Sequence, residues 1–379
     1  MTTQNLNTQE LIALGQEVTM HTFNRQETVL VKGQGPYVED LDGKMYIDFI
    51  SGIACNVLGH ADQGFVEYIT KQAGNLIHVS NLFWNENGVK LAEKLSQASN
   101  LDKTFFANSG TEANEAAIKL ARKWGTESKG PDAFEIISMN QSFHGRTLAS
   151  LTATGQEDMH TAFKPLPVGF KYVDFNDVNA LKKAVNKNTC AILLEVIQGE
   201  GGVNAITPEF VTAINTLQKH ENVLVIVDEI QTGIGRTGTM FAFQQTTLNP
   251  DIITLAKGLG GGIPIGAVVA KDRVADHFQP GDHGTTFGGN PLATAAGIYI
   301  LSAIDNQELL KNVKVMSAYI KDQVQSWQSS VIEEVRGQGF LIGLKVTKPV
   351  AQVIATAADQ GLLVTSAKDN VIRLLPPLN

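Results

Sequence analysis

Between about residue 86 and residue 300 the chain alternates short apolar runs with stretches of helical period, and no other feature limits its fold as strongly. The runs fall at 104–107, 134–139, 190–197, 223–227, 252–256 and 266–270. Several are nearly continuous in Ile, Val and Leu instead of alternating with polar residues, the mark of strands buried on both faces. Between them Ala113, Ala116, Ala117, Leu120, Ala121 and Trp124 form one helical stripe. Phe210, Ala213, Ile214 and Leu217 begin another, introduced by Thr207 as cap and Pro208 in the first turn. Strand and helix in this alternation predict an α/β fold with an open, mostly parallel central sheet, whose ligands bind beyond the carboxyl ends of its strands.

The flanks read differently. Residues 23–50 suggest a small antiparallel unit with turns at 33–36 and 41–43. After residue 306 a helical pattern over 309–327 gives way to strand-like 340–346 and 371–375. The 379 residues exceed one ordinary domain. The division expected is an N-terminal segment, 1–60, joining the C-terminal segment, 306–379, in a smaller α+β domain, with 61–305 as the large, ligand-binding domain. A net charge of −8 makes nucleic acid and anionic membrane poor partners. Cys55 and Cys190 cannot make a disulfide framework, residues 1–10 lack a signal-peptide core, and no apolar run spans a bilayer, so a cytoplasmic location is expected.

Three motifs sit where strands hand over to loops. Asn108-Ser109-Gly110-Thr111-Glu112-Ala113 follows the first run and opens the first helix. Free N–H groups, a glycine and two hydroxyls there suit a phosphate, although Ser109 or Thr111 could equally be a plain cap. The run 223–227 delivers Asp228 and Glu229, and a carboxylate at a buried strand end needs a cation or donors, whether in a site or in a structural ion pair. Lys257 leaves the run 252–256 and enters Gly258-Leu259-Gly260-Gly261-Gly262. Most strand-end lysines point to water, but an enclosed one can serve as a nucleophile. Gly233-Ile-Gly235-Arg-Thr-Gly238 imitates a dinucleotide fingerprint, yet Asp228–Gln231 separate it from the strand and no convincing helix follows.

Taken jointly, the motifs match a phosphorylated pyridine aldehyde. Pyridoxal 5'-phosphate needs an amine for its aldehyde, an anion beside its ring nitrogen, and donors for its phosphate, which Lys257, Asp228 and Ser109–Thr111 can supply. His144 reads as a packed or hydrogen-bonded structural histidine, since Lys257 is already placed to move a proton. No histidine spacing suggests a metal.

At these residues the sequence resembles the class III pyridoxal-phosphate aminotransferases. The resemblance covers most of the chain. It runs through Asn108–Ala113, Phe143-His144-Gly145-Arg146, Glu195-Val-Ile-Gln-Gly-Glu200-Gly-Gly202, Asp228–Gly238, Ala256-Lys257 and Thr285-Thr286-Phe287-Gly-Gly-Asn290-Pro291. It implies a fold type I transferase, a homodimer, and pyridoxal phosphate held by Ser109, Gly110, Thr111, Phe143, Asp228, Gln231, Lys257 and Thr286. Phe143 would stack on the ring, Gln231 would bond its hydroxyl, and Thr286 would reach the phosphate of the neighbouring subunit. Arg146 would grip a substrate carboxylate. Glu200 and Arg373 resemble a switching pair, in which the arginine is masked for one substrate and freed for a carboxylate of the other.

The activity implied is transfer of the δ-amino group of N-acetylornithine to 2-oxoglutarate, giving a semialdehyde and glutamate. Relatives acting on ornithine carry a tyrosine at the position of Ile53, which has no hydroxyl for a free ornithine head group. Succinylornithine, ornithine and 4-aminobutyrate remain alternative donors, and a non-catalytic or nucleotide-binding protein on the same fold is a further alternative. Two departures from the family pattern are Gly59-His60-Ala61-Asp62, without the usual proline after the histidine, and an end at Asn379 where relatives continue into a final helix.

Overall fold

In a computed structural model residues 6–379 are described, so the first five residues of the N-terminal reading lie outside them. A seven-stranded sheet forms the centre, in the order Lys103–Ala107, Gly266–Ala270, Ile252–Leu255, Leu224–Asp228, Thr189–Leu194, Glu135–Met139 and Phe170–Val173. Six of these strands run in the same direction, while Gly266–Ala270 is antiparallel to both its neighbours. Every residue of Thr189–Leu194 and Leu224–Asp228 is buried. That explains their unbroken apolar text: each Ile, Val or Leu so placed contributes roughly 1.5–3 kcal/mol, on whichever face it points.

The helices follow their stripes. Gly110–Lys129 covers one face of the sheet with Ala113, Ala116, Ala117, Leu120, Ala121 and Trp124 buried, and Ser109 caps it by accepting the Glu112 N–H. Pro208–Glu221 starts at the expected proline, with Thr207 accepting from Phe210 N–H.

Two expectations change. The run 190–197 is not one strand. Its ladder ends at Leu194, and Ile197–Gln198 pairs instead with Asn204–Ala205 in a separate two-stranded ribbon. The break falls at Glu195, whose carboxylate accepts the Phe143 and Gly199 N–H groups and so turns the chain. The edge strand Phe170–Val173, three of whose four residues are only half-buried, has no counterpart among the runs because an edge needs no continuous apolar text.

Outside the central sheet, Leu30–Gln34, Tyr37–Asp40 and Met45–Asp48 form an antiparallel meander. Leu362–Leu363 joins it in parallel beside Met45–Asp48, tying the start of the chain to its end. Ile332–Gln338, Leu341–Val346, Val371–Leu374 and Thr365–Ala367 make a second four-stranded sheet. Among the described residues no helix is long and apolar enough to cross a membrane.

Candidate active site

The carboxyl ends of the parallel strands open onto a cavity of about 410 Å³, a size suited to a small cofactor with its substrate. The strand–helix turn at Ser109–Thr111, the loop from Phe143 to Arg146, Glu195 with Glu200, Asp228 with Gln231, and Ala256–Lys257 all line it. Nine of the eleven residues singled out in the sequence, Glu200 among them, are therefore found in one place, while Arg373 reaches its edge through that glutamate. Thr286 is the exception: it is exposed on the 281–289 loop and does not line the cavity.

Asp228 is fixed from three directions. Its Oδ2 accepts from Asn114 Nδ2 and from His144 Nδ1, each at 2.8 Å, and its Oδ1 accepts from Ile230 N–H at 3.0 Å. His144 is thus hydrogen-bonded as expected, and its partner is the site's own carboxylate. Its Nε2 is buried without a partner. Glu195 is fully buried beside this cluster, and burial pushes its carboxyl up to about 7.

Lys257 stands across the cavity at the head of the 3-10 turn Lys257–Gly260. Burial lowers the pKa of its amine, against the attraction of Glu200, Cys55 and Asp228 and with the repulsion of Arg373. A depressed amine has more of the uncharged form that attacks a carbonyl.

At the helix start, the N–H groups of Gly110 and Thr111 are ones that a helix leaves without an intrahelical partner. Gly110 is required for space as well: a Cβ there would lie 2.8 Å from Ile230 Cδ1. The Thr111 hydroxyl meets Ser150 Oγ at 2.6 Å and accepts the Arg146 N–H at 3.2 Å, so it also anchors the 143–150 loop. Arg146 is exposed at the rim, its guanidinium 5.7 Å from the Phe143 ring centre.

Arg373 is 2% exposed and points Nη1 at three acceptors: Glu200 Oε1 at 2.6 Å, Gly199 O at 2.8 Å and Gln231 Oε1 at 2.9 Å. Burial alone would raise the Glu200 pKa, but Arg373, Lys257 and Gln231 hold it below the usual carboxylate range. The pair is therefore closed in this structure. Gln231, expected at a ring hydroxyl, is engaged with Arg373.

Sequence reasoning missed Asn114, Glu195 and Cys55. Asn114 sits one position off an alanine stripe and is fully buried, donating also to His144 O at 2.7 Å. A lone amide in a helix carries no signal of that kind. Glu195 could have been found, since an acid inside an apolar run contradicts its surroundings. The dinucleotide-like segment 233–238 is a buried turn whose Arg236 donates to Phe340 O and Pro376 O, with no helix start for a ligand.

The residues fit pyridoxal phosphate on their own chemistry. An enclosed amine, a carboxylate immobilised by three donors, a helix start with free N–H groups and an aromatic wall at Phe143 face one space. Such a cavity on this fold defines a pyridoxal-phosphate-dependent aminotransferase. The chain matches the family described as "Aminotransferase class-III" over residues 20–379, and it belongs to that family. It is 49% identical over 371 residues to the acetylornithine aminotransferase of Caldanaerobacter subterraneus subsp. tengcongensis, covering 97% of this chain and 94% of that one. The acetylornithine aminotransferase of Bacillus subtilis is 46% identical over 359 residues, 94% and 92% of the two chains. Among solved structures, ornithine aminotransferase from Toxoplasma gondii superposes with a TM-score of 0.94 at 32% identity, covering 98% of this chain and 91% of that one. N-acetylornithine aminotransferase from Stenotrophomonas maltophilia gives 0.83 at 37% identity, over 97% and 93%.

Proposed function

We propose that this aminotransferase moves the δ-amino group of N-acetylornithine to 2-oxoglutarate, giving N-acetylglutamate 5-semialdehyde and glutamate, a step of arginine biosynthesis. The observation that carries it is the closed Glu200–Arg373 pair beside Lys257. One cavity must take in turn a donor with a single carboxylate and an acceptor with two. With Arg373 masked, Arg146 at the rim is the cation left to hold the donor carboxylate; with Glu200 swung away, Arg373 becomes a second site for the dicarboxylate. The acetylornithine aminotransferases at 49% and 46% identity support the same donor.

Pyridoxal phosphate, when bound, supplies an electron-withdrawing ring that stabilises negative charge on the carbon losing its proton. The chain supplies the rest. Lys257 Nζ would hold the cofactor's aldehyde and, when free, would accept and return the proton. Asp228, held immobile by hydrogen bonds from Asn114, His144 and Ile230, would face the ring nitrogen and stabilise its positive charge. Ser109, Gly110 and Thr111 would receive the phosphate at the helix start. Phe143 would pack on the ring face, and Gln231, when Arg373 is freed, would be available to the ring hydroxyl.

The working unit is a homodimer in the cytoplasm. Leu82, Phe83, Trp84 and Phe287 are 84%, 69%, 94% and 60% exposed, an apolar surface next to Thr286 that a second copy would cover. Thr286 then belongs to the partner's phosphate site.

A panel of amino donors tests the reading. The expected order of kcat/KM is N-acetylornithine first, with ornithine and 4-aminobutyrate far behind; ornithine in the lead would overturn it. Borohydride reduction of the holoenzyme followed by peptide mapping is expected to find the pyridoxyl group on Lys257, and sedimentation is expected to find a dimer.

A further inference from the structure

Four consecutive residues next to the cavity have left-handed backbones: Ser51 (φ 49), Gly52 (φ 63), Ile53 (φ 62) and Ala54 (φ 66). Only glycine adopts this region freely, and a β-branched residue such as Ile53 is an outlier there. Such a run persists only where its surroundings over-determine it, and strain of this kind concentrates where function needs a fixed shape.

The surroundings are an aspartate and a histidine. Asp48, buried at the end of Met45–Asp48, accepts from Ile50 and Ser51 N–H through Oδ1, both at 2.9 Å, and meets His60 Nε2 through Oδ2 at 2.8 Å. The histidine is itself pinned. His60 and Gly35 exchange two backbone hydrogen bonds at 2.8 Å, and the His60 ring fills the space where a Cβ on Gly33 would sit, 2.8 Å away. The turn then closes through Cys55 N–H and Asn56 N–H on Ser51 O, at 2.8 and 2.9 Å. Against it stands the Ser51 hydroxyl, buried without a partner.

What leaves this turn packs on the glycines that follow the lysine. Cys55 lines the cavity. Val57 Cγ1 is 2.8 Å from where a Cβ on Gly258 would be, and Asn56 Oδ1 is 2.9 Å from that of Gly262. Lys257 is left-handed too, with φ 39. Two strained segments are therefore packed face to face, and Asp48 and His60 hold one of them.

We propose that Asp48 and His60 are positioning residues for transamination: their clasp keeps the 51–54 turn left-handed, so that residues 55–57 press on the Lys257 turn and fix its amine in the cavity. The proposal rests on the reading of Lys257 as the reacting amine.

The test compares Asp48→Ala with Asp48→Ala/Ser51→Gly as holoenzymes. Asp48→Ala is expected to lower kcat at least tenfold in both half-reactions, with KM changing less, and to broaden the absorbance band of the lysine-bound cofactor. Ser51→Gly removes both a left-handed penalty and the orphaned hydroxyl, so it favours the turn without the clasp, and the double variant is expected to regain most of the kcat and the sharp band. A residue needed only for folding would not be rescued in this way. Asp48→Ala with kcat within twofold of the parent, or a folded double variant no better than the single one, overturns the proposal. If Asp48→Ala yields no holoenzyme, His60→Asn with and without Ser51→Gly reads the same two outcomes. Peptide mapping of the borohydride-reduced variants separates the layers: a label on another lysine sinks the reading of Lys257, whereas a label on Lys257 without rescue sinks the clasp alone.

Discussion

At the inner end of the cavity Asp228 is 4% exposed and receives hydrogen bonds from a helix, a loop and its own turn. At the outer end Arg146 stands in solvent, and Glu200, half-buried, holds Arg373 through one oxygen. The inner carboxylate has nowhere to go, whereas the outer one can leave its arginine at the cost of a single charge-assisted contact. The contrast matches the two tasks of a transaminase: the cofactor end does the same thing in both half-reactions, and the substrate end must change between them.

Removing the reacting amine erases the contrast altogether. Lys257→Ala is expected to lower turnover by about 10³-fold or more in either direction, read in single-turnover assays on cofactor-loaded protein. Next in size, Asp228→Asn keeps the shape of the inner end but discards its charge. The expected result is bound cofactor and a proton-removal step slowed on the order of 10²-fold, equally for donor and acceptor; a near-normal rate would contradict the assigned role.

Changes at the outer end should do the opposite and split the half-reactions. Arg373→Ala is expected to weaken glutamate and 2-oxoglutarate by about thirtyfold more than acetylornithine, corresponding to roughly 2 kcal/mol for a lost guanidinium–carboxylate bond. Glu200→Ala, leaving the arginine always open, should shift the balance toward glutamate. Equal losses in both halves for both variants would reduce the pair to a structural salt bridge.

The smallest effect sharpens the inner end. Glu229, next to Asp228, turns away from the cavity to accept the Ala242 and Phe243 N–H groups at 3.0 and 2.8 Å, and burial pushes its carboxyl up to about 7. Between its ordinary value of 4.5 and about 7 the folded protein binds this proton more tightly than the unfolded chain. The stabilisation is therefore full at acid pH and fades as pH rises through about 7. Glu229→Gln is expected to lower the thermal midpoint while flattening this part of its pH dependence, measured by calorimetry.

Legibility followed the range of the interactions. Asp228 and Lys257 were readable because a buried strand announces its own end, and Ser109–Thr111 because helix caps are local. The broken run at Glu195 was misread because the break depends on N–H groups from Phe143 and Gly199, the first of them 52 positions away. Asn114 was invisible for the same reason: its partner Asp228 is 114 positions downstream. The left-handed turn at 51–54 has one glycine in four residues, and local propensity would have rejected it; its contacts with Asp48, and through it His60, come from elsewhere in the chain.

The pairing of Leu362–Leu363 with Met45–Asp48 sets an order in time. A ribosome delivers residues 30–48 early, but the fourth strand of their sheet emerges only some three hundred residues later, together with Arg373 and the Leu378 N–H that bonds Val57 O. Until then the parallel β-sheet can assemble around Asp228 while the meander waits with an open edge. Arg373 thus joins the pocket after Asp228 and Lys257 are already in place. A translation product stopped before residue 362 would carry the lysine and the aspartate without the arginine that closes onto Glu200.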